Sequence, residues 1–233
     1  MTRSAGDHVL GQPEARLTDT LHPRDVTDRR TVFEGRIWNV VSDTVSLGAD
    51  GPTVVRDYVD HTGAVAVIPV DEQGRILLLK QYRHPVAMDL WEIPAGLLDV
   101  EGEDPVAAAA RELAEETDLV AAEWHVLVDI FNSPGGSSEA LRAYVATGLS
   151  PVPEHERHVR TDEESEFEYA WVSLDEAVSA ILAGEIHNVS TVAAVLALNA
   201  AVTRAGGSLD GLALESAGLR PADAPWPAHP RLR

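Results

Sequence analysis

Glu112, Glu115 and Glu116 stand at i, i+3 and i+4, a spacing that puts three carboxylates on one side of a helix. Carboxylates crowded in this way repel one another unless positive charge sits between them. Hard oxygen donors in that arrangement suit Mg²⁺ or Mn²⁺, with substrate phosphates completing the coordination shell. Arg111 reaches Glu115 at i+4 and can pin it. A solvated acidic helix face could carry the same letters on so acidic a chain, so the flanking residues must decide.

Those flanks specify a positioned helix. A glycine loop from Gly96 to Glu103 leads to Asp104, a natural N-cap, and to Pro105 at the first helical position, where a missing N–H costs nothing. Val106, Ala109, Ala110, Leu113 and Thr117 recur at core spacing on the side away from the glutamates. A helix that is capped, preceded by a flexible loop and half buried is a scaffold for a site.

In this order the residues resemble the Nudix box, Gly-x5-Glu-x7-Arg-Glu-hydrophobic-x-Glu-Glu-x-Gly-hydrophobic. Glu103, Arg111, Glu112, Leu113, Glu115, Glu116 and Leu119 match in register. Six residues rather than five separate Gly96 from Glu103, and Asp118 stands where the family has its second glycine. A loop tolerates the first change, and Asp visits positive φ more readily than most residues. Ser133-Pro134-Gly135, with Pro134 the sixteenth residue after Asp118, resembles the ADP-ribose branch of the family. Gly136 and Ser138 stand where that branch usually has an aromatic and an acidic residue.

The resemblance implies an α/β sandwich (α+β) with a mixed sheet between helices, plus a small N-terminal antiparallel sheet that packs in a homodimer. It implies divalent-metal-dependent hydrolysis of ADP-ribose to AMP and ribose 5-phosphate. The metal ligands would be Glu112, Glu116, Glu115 and the Ala95 carbonyl, holding two or more Mg²⁺ ions, with Mn²⁺ as substitute. The general base would come from the late acidic loop, Glu164 ahead of Glu163, with Glu115 as the fallback. Arg83 resembles the arginine that meets the terminal phosphate side of the substrate. Arg56, Glu92, Pro134 and Glu139 are further substrate candidates, and Trp38 could stack on adenine. Alternatives are another nucleoside diphosphate derivative, such as a nucleotide sugar or dinucleotide, and a non-catalytic Nudix-fold binding module. The retained box glutamates oppose the last.

Composition bounds the rest. The chain has 233 residues, 45% of them hydrophobic, no cysteine and a formal charge of −20. Such a charge argues against nucleic-acid polymers as partners. It also demands cations and placed arginines wherever an anionic phosphate is to bind. Absence of cysteine suits a reducing cytoplasm, and neither a signal peptide nor a membrane span is legible.

Four regions are expected. Residues 1–30 read as a flexible tail, 31–60 as a small sheet and dimerisation unit, 61–205 as the main domain, and 206–233 as an irregular tail. Within the small sheet, Val32 to Val41 and Val54 to Val59 read as strands. Gly63 to Val70 and Arg75 to Tyr82, joined through Asp71–Gly74, read as a hairpin. Leu90 to Pro94, Trp124 to Phe131, Ala140 to Ala146 and Glu166 to Ser173 read as further strands. A capping box at Ser173–Glu176 opens a helix to about Ala183, and a second helix runs from about Asn188 to Arg204. His61 and His84 read as structural or exposed.

Overall fold

The computed structural model describes residues 17–48, 51–207, 209 and 217–232, with the backbone alone at 162 and 163. Three sheets are present among them. The first is antiparallel, β1 (Val26–Glu34), β2 (Asn39–Ser46) and β3 (Thr53–Asp60) in that order. The second sets β5 (Arg75–Arg83) between β10 (Glu168–Ser173) and β6 (Met88–Glu92). The third runs β11 (Arg220–Pro221), β8 (Leu119–Phe131), β9 (Ala140–Pro151), β4 (Ala64–Pro69) and β7 (Ala95–Leu97). The parallel β4–β9 pair makes it the expected mixed sheet.

Helix α1 (Pro105–Thr117) packs on one side of the mixed sheet, over Val65, Val67, Val126, Tyr144 and Ala146. Helices α2 (Leu174–Ala183) and α3 (Val189–Ala205) supply Leu174, Ala177, Ala194, Val195, Leu198 and Val202 to a second core with Ile68, Ile76, Leu78 and Val145. Strand β4 is buried along its whole length, as a strand with neighbours on both edges and layers on both faces must be. Full burial of Leu113 alone contributes about 1.5–3 kcal/mol. No helix among the described residues is long and apolar enough to cross a membrane.

Several expectations need correction. The stretch read as one strand from Val32 to Val41 is two, broken at Gly35, whose N–H donates to the Trp38 carbonyl at 3.1 Å. A Cβ at Gly35 would collide with that carbonyl, so this turn requires glycine. Strand β1 begins at Val26, inside the stretch read as a tail, while residues 1–16 lie outside the described residues. The Val70–Arg75 connection is a turn closed by Asp71, but β4 and β5 do not form a hairpin. They share one bridge, Val70 to Ile76, and then part into different sheets because β4 already pairs with β7 and β9. A turn signal fixes the reversal and leaves open which edges pair.

The C-terminal stretch is also more ordered than expected. Arg142, almost wholly buried, donates to the Ala224 carbonyl at 2.6 Å and lies 4.6 Å from the Trp226 ring centre. Trp226 and His229 are buried, and His229 packs so closely on Gly63 that a Cβ there would strike its ring.

Candidate active site

The box helix starts as its sequence requires. The Asp104 side chain accepts from the Val106 N–H at 3.0 Å, and Pro105 takes the first turn. The helix ends at Asp118, in the left-handed region at φ 57°, so aspartate does adopt the conformation the family's glycine would supply. The buried face carries Ala108, Ala109, Leu113 and Glu116. That corrects the simple division into an acidic and an apolar side. Glu116 is seven residues past Ala109, so it projects in nearly the same direction, toward the sheet.

Glu116 is only 6% exposed, and its carboxylate accepts the Ala95 N–H at 2.9 Å. Its main-chain carbonyl accepts the Tyr169 hydroxyl at 2.6 Å. Gly96 lies against Glu112, where any Cβ would run into the Glu112 carboxyl. The glycine therefore permits loop and helix to approach closely. Arg111 bonds both oxygens of Glu103, at 3.1 and 3.0 Å, and also meets Glu112 at 2.6 Å and Glu115 at 3.3 Å. The expected i+4 contact is thus one of several, and Arg111 ties the loop to the helix face.

Burial pushes the Glu116 carboxyl well above the ordinary carboxylate range; the Ala95 N–H opposes this, Glu112 and Glu164 add to it, and Arg83 opposes it. Burial likewise raises Glu112, with Arg111 opposing and Glu115 and Glu164 reinforcing. Glu164, from the late acidic loop, is therefore close enough to act electrostatically on both box glutamates. The Glu163 side chain lies outside the described residues. Arg83 forms a two-bond pair with the buried Glu92, at 2.9 and 2.6 Å, which holds the guanidinium near the same face.

Among the described residues, no three acidic or histidine side chains are gathered closely enough to hold a metal ion, and Arg111 is bonded to Glu103, Glu112 and Glu115. The donor set nonetheless fits a hard divalent cation. Two carboxylates are desolvated beside one another, a state that is stabilised by neighbouring positive charge or by proton uptake.

The remaining candidates gather elsewhere. Arg56 and Pro134 line one cavity of about 660 Å³ together with Arg29, Tyr58, Asp60, Ser137 and Arg231. Arg29 bonds both oxygens of the buried Asp43, at 2.7 and 2.6 Å, and the Tyr58 hydroxyl at 2.9 Å. The Pro-Gly-Gly segment is bonded to β3. The Val59 N–H donates to Gly136, the Ser138 N–H donates to Val59, and the His61 N–H donates to the Ser138 hydroxyl at 2.9 Å. Ser138 is thus a fastener between sheet and domain. Glu139 accepts from Asn132 at 2.9 Å and helps hold that loop. Trp38 stacks on His61 at 5.2 Å between ring centres, so one face of the indole is occupied by a buried, structural histidine. His84 lies in an exposed turn beside Tyr82, as read.

The family model of the NUDIX domain matches residues 60–194, more than half the chain and including the whole box. The chain belongs to the Nudix family. Among its relatives, a Mycobacterium tuberculosis protein named ADP-ribose pyrophosphatase is 43% identical over 182 residues, covering 78% of this chain and 86% of the relative. A Bacillus subtilis ADP-ribose pyrophosphatase is 34% identical over 167 residues, covering 72% and 88%. A solved structure described as an ADP compounds hydrolase superposes with a TM-score of 0.67 at 21% identity. It covers 81% of this chain and 99% of that one, and supports the same fold.

As a Nudix hydrolase the chain has site features that sequence reasoning missed. Tyr169 on β10 and Arg160 in the late acidic loop meet the end of the box helix, and Arg231 near the C-terminal end lines the cavity, all through tertiary packing alone. Local spacing carried no sign of them. Asp118 was noticed only as a departure from the box, and its side chain proves to face Arg160.

Proposed function

We propose that this Nudix hydrolase splits the diphosphate of ADP-ribose with water, giving AMP and ribose 5-phosphate. The observation that carries the reading is the box-helix carboxylate face, with Glu116 buried on the Ala95 N–H and Gly96 packed directly on Glu112. Similarity to two proteins named ADP-ribose pyrophosphatase supports the choice of substrate.

The water oxygen forms a bond to one phosphorus, the bridging P–O bond breaks, and the leaving oxygen departs on the other phosphate. Mg²⁺, with Mn²⁺ as substitute and two or more ions per site, bound by Glu112, Glu115, Glu116 and the Ala95 carbonyl, would neutralise the diphosphate oxygens and acidify water. Glu164 takes the proton from the attacking water, a role suited to a carboxylate that is not itself a metal ligand. Arg83, oriented by Glu92, meets the substrate's terminal phosphate side. Arg56, Pro134 and the free face of Trp38 hold the remainder of the substrate.

The working form is a homodimer in the cytoplasm. β1 is exposed along its entire length, and Val32, Phe33 and Val55 on the small sheet, with Ile37 in the β1–β2 turn, expose apolar side chains. A three-stranded sheet with that much uncovered apolar surface is stabilised by a second copy. The test is a panel of ADP-ribose, nucleotide sugars and dinucleotides with Mg²⁺ or Mn²⁺, products separated by chromatography. ADP-ribose turned over fastest, to AMP and ribose 5-phosphate, is the expected result. Preference for another nucleoside diphosphate derivative would overturn the substrate assignment.

A further inference from the structure

We infer that the Asp118–Arg160 pair is a positioning device that fastens the acidic loop to the end of the box helix, so that Glu164 faces Glu112 and Glu116. The functional half of this inference rests on the proposed role of Glu164 as base. Its structural half does not.

Three contacts converge on the last turn of the box helix. The Val152 N–H donates to the Asp118 carbonyl at 2.8 Å, where β9 gives way to the loop. Arg157 donates back to the Val152 carbonyl at 3.2 Å, folding the chain over that junction. Arg160 then brings its guanidinium to 2.8 Å from the Asp118 carboxylate and 6.0 Å from the Tyr169 ring centre. The Tyr169 hydroxyl in turn bonds the Glu116 carbonyl. Glu164 follows Arg160 by four residues, and its N–H closes a turn onto the Thr161 carbonyl at 3.1 Å.

Glycine at position 118 would supply the left-handed backbone and the carbonyl, and nothing more. Aspartate accepts an unfavourable φ and adds a carboxylate, which among the described residues pairs with the loop's arginine. The pair is held by charge and proximity rather than by an aligned hydrogen bond. Asp118 Oδ1 and Arg160 Nε are buried with no hydrogen-bond partner among the described residues. A pair so placed, with both side chains mostly shielded, loses its hold when either charge is removed. The departure from the family glycine thus acquires a role: it couples the box helix to the base-bearing loop.

The experiment compares Asp118→Gly, Asp118→Asn and Arg160→Lys with the unmodified protein. Asp118→Gly removes the carboxylate while easing the left-handed backbone, so its Tm should fall by no more than about 3 °C. Amide exchange in residues 157–167 should quicken by roughly tenfold. The kcat should drop about tenfold, with KM within about twofold and an unchanged Mg²⁺ requirement. Asp118→Asn should match it in kcat, whereas Arg160→Lys, which keeps the charge, should retain more activity. On a Glu164→Gln background, Asp118→Gly should cost no more than about twofold further, because the two changes act through one group. Unchanged exchange in the loop overturns the inference, and so does a loosened loop with unchanged kcat. A full further loss on the Glu164→Gln background overturns action through Glu164. If Glu164→Gln alone keeps full kcat, the base assignment falls, while loop exchange and kcat in Asp118→Gly still judge the fastening.

Discussion

The box-helix face and the cavity beneath the N-terminal sheet are both lined with charge, yet they balance it in opposite ways. At the helix, three glutamates, Glu103, Glu112 and Glu115, bond one arginine, and burial drives the Glu112 and Glu116 carboxyls upward. In the cavity, Arg29 is matched by Asp43 and Arg231 by Asp60, so the charges largely cancel within the protein. The first region stores an electrostatic deficit that a cation can relieve. The second is stable as built and presents shape, aromatic surface and spare guanidinium donors. In the proposed function the helix face carries the chemistry and the cavity the recognition.

The largest effect should come from breaking the first region. Glu112→Gln and Glu116→Gln should each lower kcat by about 100- to 1000-fold, the scale expected when transition-state charge loses its stabilisation. Thermal melting should show the fold intact, and for Glu116→Gln no less stable, since a buried charge is removed. Near-normal turnover at saturating Mg²⁺ in either variant would rule out the ligand set.

Breaking the sheet should act through assembly. Phe33→Asp places a charge on the exposed apolar face and should weaken the dimer by at least about tenfold, read by sedimentation over a concentration series. A monomer in the unmodified protein at micromolar concentration would remove the assembly argument altogether.

How far these regions can be read from sequence follows from how each is assembled. The helix face is contiguous, and helix geometry converts spacing such as Glu112–Glu116 directly into proximity. Even there the reading stopped at the surface, because nothing local says that Glu116 turns inward to the Ala95 N–H. The cavity joins Arg29, Arg56, Pro134 and Arg231 from four separate segments. No periodicity connects them. The C-terminal stretch illustrates the same limit. Its prolines speak for irregular chain, while among its described residues Arg220–Pro221 pair with β8 and the burial of Trp226 depends on Arg142 reaching Ala224 and Trp226 from β9. The parallel β4–β9 pairing agreed with the mixed sheet implied by the family resemblance, whereas the apparent β4–β5 hairpin did not survive competition for edges.

A smaller effect sharpens the role of the cavity. Arg56→Ala should raise KM for ADP-ribose by about tenfold and leave kcat within about twofold, the signature of uniform binding. An equal fall in kcat would move Arg56 into the chemistry and blur the division.

The smallest effect concerns pH. Hydrogen bonds from Arg29 hold the Asp43 carboxyl below its ordinary value, with burial opposing and Tyr58 assisting. A carboxyl depressed in the folded state stabilises fully above its unfolded pKa, near 4, and that stabilisation is lost as pH falls through the folded value. Melting temperature should therefore decline more steeply below about pH 4 in the unmodified protein than in Asp43→Asn. Parallel decline in both would show that the pair contributes no linkage.

The central claim is that metal binding and proton removal fall to different carboxylates, and kcat against Mg²⁺ concentration tests it most directly. Glu112→Gln weakens metal binding, so rising Mg²⁺ should restore part of its rate. Glu164→Gln leaves the ligand set in place, so its rate should stay low at every Mg²⁺ concentration. Glu163→Gln, a neighbour of equal charge, is the control and should behave like the unmodified protein. Recovery of Glu164→Gln with added Mg²⁺, or a metal-insensitive loss in Glu163→Gln instead, would contradict the assignment.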